Sequence, residues 1–191
     1  MFGALLMLVP SVGRALLLWV FSPAMALTLW PEAPLNVMVS PLVSQFAVAG
    51  LFGAAFDAVF VLIAGRYVER ALGGPGVAAT FVAGAYAGAI ARLVLTPASA
   101  VPGFGASGGL FAIVGAYLML YGIPAGLPLN LRGSRVKQIG LLALIWTALQ
   151  LAFLLATRGG DVSIQVIEPL GGLAAGVALA RPLLRWRYRR A

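Results

Sequence analysis

The chain has no cysteine and no histidine in its 191 residues, and only five acidic side chains. Without cysteine there is neither a disulfide framework nor a thiolate metal site. Without histidine a metal centre would have to be built from those few carboxylates, so no metal and no cofactor are expected. Charge of either sign is scarce at 9% of residues, against about 25% in soluble domains. Long polar runs and Ser/Pro-rich linkers are missing as well, which leaves a single domain over residues 1–191.

What remains is apolar. Hydrophobic residues make up 62% of the chain and mean hydropathy is +1.02. A stretch of about 20 apolar residues crosses a hydrocarbon core of about 30 Å as a helix. Five such runs, roughly 43–64, 76–96, 105–124, 138–157 and 164–184, are bounded by Gly, Pro or charge. A sixth lies near the N-terminus, at about 2–21 with Arg14 inside it or about 12–30 with Pro23 inside it. It lacks the basic n-region of a signal peptide and reads as a retained helix. The expected fold is an all-α membrane protein of six transmembrane helices.

The net charge of +8 could suggest nucleic acid, but it is distributed as membrane topology. Arg66, Arg70, Arg132, Arg135, Lys137, Arg181, Arg185, Arg187, Arg189 and Arg190 fall on one side, and only Arg92 and Arg158 on the other. Cytoplasmic loops carry the Lys/Arg excess, so both termini are expected in the cytoplasm. Segments 96–106 and 157–168 then face outward. Residues 181–191 form a basic cytoplasmic tail whose Arg-Trp-Arg-Tyr-Arg-Arg run suits an interfacial anchor or contact with anionic lipid. Richness in Ala, Gly and Arg points to a bacterial cytoplasmic membrane.

Small residues recur at packing distance, with Gly84 and Gly88 in one span and Gly172 and Gly176 in another. The i, i+4 spacing puts each pair on one helix face, where backbones approach closely. Internal repeats that would suggest an inverted-repeat carrier are not evident. The segment Gly103-Phe104-Gly105-Ala106-Ser107-Gly108-Gly109 follows Pro102 and opens a helix. A serine in the first turn of a helix sits among unpaired N–H groups at the positive dipole end, a setting that suits a developing oxyanion.

Three runs together give this chain a family likeness over about residues 43–184. They are Gly105-Ala106-Ser107-Gly108, Val68-Glu69-Arg70-Ala71-Leu72-Gly73 and Leu170-Gly171-Gly172-Leu173-Ala174-Ala175-Gly176. The chain resembles the rhomboid family of intramembrane serine proteases. The resemblance implies a six-helix bundle with a water-filled cavity open to the outer face. Ser107, on the fourth helix, stands at the nucleophile's position. The glycines of the sixth helix, Gly172 and Gly176, would pack against the fourth and bring a histidine base to the serine.

The family chemistry is incomplete here. The base histidine's position is Pro169, which cannot accept a proton. The oxyanion region of the resemblance maps to Gly105, Gly53 and Asp57, and an ionised carboxylate beside a forming oxyanion would repel it. The tryptophan-arginine pair of the family's first outer loop is not found in residues 22–42. Lys137 belongs to the opposite face. Glu168 is the remaining candidate base, since apolar surroundings make a carboxylate a stronger base, with Asp57 to orient it. Its plainer role is a solvated cap of the sixth helix, and Asp57 and Arg92 suit an ion pair between neighbouring helices. The expected function is an inactive scaffold that binds transmembrane helices of client proteins in lipid, with no nucleic-acid partner. The alternative is an active endopeptidase that uses Glu168.

Overall fold

A computed structural model describes residues 19–47, 51–123, 134–157 and 161–189; of Gly53 it gives only the helical backbone. All regular structure among them is helical. Two short helices, α1 (Pro23–Leu29) and α2 (Pro34–Phe46), precede the long α3 (Leu51–Leu95), α4 (Ser107–Tyr121), α5 (Arg135–Thr157) and α6 (Glu168–Tyr188). Asp57–Leu95, Arg135–Ala156 and Ile164–Tyr188 are long and apolar enough to cross a membrane, and Ser107–Tyr121 is a shorter apolar helix.

The long α3 is two crossings. Gly73 has φ 76° and ψ 166°, a backbone state that side chains with a Cβ rarely adopt, and Pro75 follows it. The chain reverses there. Asp57 in the first arm lies by the start of α4 while Tyr67 accepts a hydrogen bond from Tyr121 at the other end of α4. In the second arm Gly84 meets Gly108 and Ala112, and Gly88 meets Glu168. With the two arms, α4, α5 and α6, five crossings are described.

The arginines sort as the topology requires. Arg66, Arg70, Arg135, Arg185 and Arg187 gather at one end, where Arg187 donates to the carbonyls of Glu69 and Arg70 at 3.3 and 3.0 Å. Ser107, Arg92 and Glu168 occupy the other, outer end. Arg14, Arg132, Arg158 and Arg190 lie outside the described residues.

Helix α4 is the centre of the bundle, and its tight fit comes from glycine. A Cβ on Gly172 would run into the Gly108 backbone, and one on Gly176 into the Ala112 backbone. Toward the basic end the interior is mainly apolar, built from Val68, Leu72, Ile113, Ala116, Met119, Ile139 and Leu173, with the buried Thr80 hydroxyl donating to the Gly76 carbonyl. Helix α5 stands at the margin, with an apolar cavity of about 210 Å³ between it, α4 and α6.

Several boundaries differ from the sequence reading. Residues 19–22 are not helical, so the alternative span 12–30 is excluded; the span at 2–21 lies almost wholly outside the described residues. The run 43–64 is not one helix, because α2 stops at Phe46 and Ala47 is extended; the crossing starts at Leu51 and runs on to residue 72. Residues 181–188, within the basic tail, are helical. They continue α6, which carries Pro182 within it and ends at Tyr188.

Candidate functional site around Ser107

Ser107 is the first residue of α4, as the glycine-rich approach requires. Gly105 adopts φ 96°, which turns the loop into the helix. Gly103 lies over a buried charge pair: a Cβ there would come within 2.5 Å of Arg92 Nη1 and 3.2 Å of Glu168 Oε2.

The Ser107 hydroxyl donates to Glu168 Oε1 at 2.9 Å. That same oxygen accepts from Gln45 Nε2 at 3.3 Å, and the other carboxylate oxygen accepts from Arg92 Nη1 at 3.2 Å. Arg92 is 0% and Glu168 4% exposed. Arg92 also donates to the Val101 carbonyl at 2.7 Å, and its guanidinium lies 5.8 Å from the centre of the Phe21 ring, within cation–π range. It stands in the last turn of α3, where the helix dipole favours a cation.

The neighbouring N–H groups are also taken. Ala106 N–H donates to Asp57 Oδ2 at 3.1 Å and Gly109 N–H to Gln45 Oε1 at 3.0 Å. Gly103 and Gly105 donate to the carbonyls of Phe21 and Ala47, both at 2.9 Å. No group of three or more metal-ligating side chains occurs among the described residues.

These positions correct three expectations. Glu168 is not a solvated cap, and its surroundings are not apolar: it is buried against a serine, a glutamine and an arginine. Arg92 pairs with Glu168 and not with Asp57, which instead accepts a backbone N–H. Gln45 and Arg92, not Asp57, hold the Glu168 carboxylate. Pro169 is buried in the first turn of α6 and does not disturb it, since proline's missing N–H costs little at a helix start. A π-helical turn, Ser163–Ile167, runs directly into it.

Gln45 was not foreseen. Its signal was a reversed helix face: Ser40, Ser44 and Gln45 are buried while Leu35 and Phe46 are exposed. In water such a pattern would be inside out, whereas at a membrane surface it is the expected one.

Ser107 thus opens α4, and Gly172 and Gly176 of α6 are seated on that helix against Gly108 and Ala112. The rhomboid domain family model matches residues 35–186, most of the chain. The chain belongs to the rhomboid family. No curated protein and no solved structure gives a match. This rhomboid is thus an integral membrane protein whose serine faces a glutamate.

Proposed function

We propose that this rhomboid is a scaffold without proteolytic activity that binds transmembrane helices of client proteins. The observation that carries the reading is that the acceptor of the Ser107 proton is one half of a buried ion pair. Moving that proton onto Glu168 would neutralise the carboxylate and leave Arg92, fully buried, without its counter-charge. Breaking a buried pair in this way is costly, on the order of 3–5 kcal/mol. The reading is supported also by Asp57, whose carboxylate accepts from the Ala106 N–H beside the serine and would repel a forming oxyanion there. General-base assistance is typically worth about 10²–10⁴-fold in rate, and Ser107 is deprived of it. Binding of client helices is supported by the apolar cavity beside α5, lined by Phe111, Val114, Leu142, Trp146 and Leu173 among others.

The test is reaction of the detergent-solubilised protein with a fluorophosphonate probe. Ser107 is expected to stay unlabelled. Labelling that disappears in Ser107→Ala would instead establish the second reading, an endopeptidase with Glu168 as base, which the 2.9 Å contact favours. For client binding, a photocrosslinker at Ala143 should capture a transmembrane helix co-reconstituted in nanodiscs.

A further inference from the structure

The first amides of a helix have no partner within it and must find one elsewhere. At the start of α4 one of them, the Gly109 N–H, finds the chain itself. The tripeptide Gln45-Phe46-Ala47 lies along the glycine-rich loop, its side-chain carbonyl bound by Gly109 N–H at 3.0 Å and the Ala47 carbonyl by Gly105 N–H at 2.9 Å. Ala47 is extended, with φ −82° and ψ 91°, and is 1% exposed. The middle side chain, Phe46, turns outward and rests near Phe81, the ring that fills the space a Gly109 Cβ would need.

A primary carboxamide offers a carbonyl acceptor and an N–H donor, as a peptide bond does. Gln45 uses both at this site. Its oxygen takes the helix amide, and its nitrogen donates to Glu168 Oε1, the atom that also holds the Ser107 hydroxyl. One of the groups bound to the serine's carboxylate partner is therefore an amide from the protein's own chain.

We propose that Gln45-Phe46-Ala47 is a built-in occupant of the Ser107 site, which an extended client segment must displace to bind there. The client in this statement rests on the scaffold reading above. The chemistry selects the competitor. A segment with a glutamine two residues ahead of a free carbonyl can replace every contact, whereas a glutamate in its place would set a second carboxylate against Glu168.

The probe is a fluorescent hexapeptide with the sequence of residues 43–48, acetylated and amidated, titrated against the full chain in nanodiscs by anisotropy. A tethered occupant competes at an effective concentration in the millimolar range, so the wild type should bind weakly. Gln45→Ala should bind at least about tenfold tighter, because truncation removes two of the occupant's contacts. Gln45→Met, which keeps the volume without the carboxamide, should do the same and guards against a folding defect. The hexapeptide with glutamate for glutamine should not bind. Equal affinity of wild type and both variants, or no binding by any of them, overturns the proposal. If a client helix still crosslinks at Ala143 in that case, the scaffold reading stands and only the occupant falls.

Discussion

The two ends of this rhomboid treat the same side chain in opposite ways. At the outer end Arg92 is fully buried, paired with Glu168 and covered by the loop through Gly103. At the basic end Arg187 lies on the surface and donates to the carbonyls of Glu69 and Arg70, just before the break at Gly73. The interiors differ accordingly. One half of the bundle is closed by hydrocarbon, the other by a polar cluster that includes Ser107, Gln45, Glu168 and Arg92. An arginine at the surface is a topology marker whose environment can relax around a change. A buried one depends on its counter-charge, so the outer end is the more brittle.

That contrast can be broken in order of severity. Glu168→Ala strands the buried guanidinium and should cost about 3–5 kcal/mol, read as lowered resistance to SDS-induced unfolding in mixed micelles. If it costs less than about 1 kcal/mol, the pair is not what holds the outer end. Gly176→Ala pushes a methyl group into the Ala112 backbone, with no flexible side chain to yield, and should cost about 1–3 kcal/mol in the same assay. Arg187→Ala removes surface contacts only and should lie within about 0.5 kcal/mol of the wild type. A ranking that reversed the first and last would remove the distinction between the two ends.

Much of the fold could be read from hydropathy, because lipid forces each crossing into a long apolar helix and the arginines mark one side. The later crossings fell near their expected places, and the small-residue spacing marked Gly172 and Gly176 as one close-packing face without naming α4 as its partner. Hydropathy failed between α2 and α3. Their apolar residues run on in the sequence, whereas α2 ends at Phe46 and Ala47 is extended. Of the site, Ser107 was legible from its glycine setting. The surroundings of Glu168 were not, since they join residues 45, 92, 107 and 168, and no local pattern encodes a contact across 123 positions of sequence. Arg92 was misread for a related reason. It was expected to pair with Asp57, but its partner is Glu168, and the loop through Val101 and Gly103 and the segment at Phe21 fold over it.

Gly103 bears on how such a protein changes over generations. By leaving room beneath it, this residue lets the Arg92–Glu168 pair fill the space beside the serine. A histidine introduced at position 169 would enter a neighbourhood already closed, with Gln45 on the Gly109 amide and Asp57 on the Ala106 amide. On the scaffold reading proposed above, a gain of hydrolysis would require those neighbours to be exchanged as well, and each exchange alone would remove a contact that now holds the loop before any new chemistry appeared.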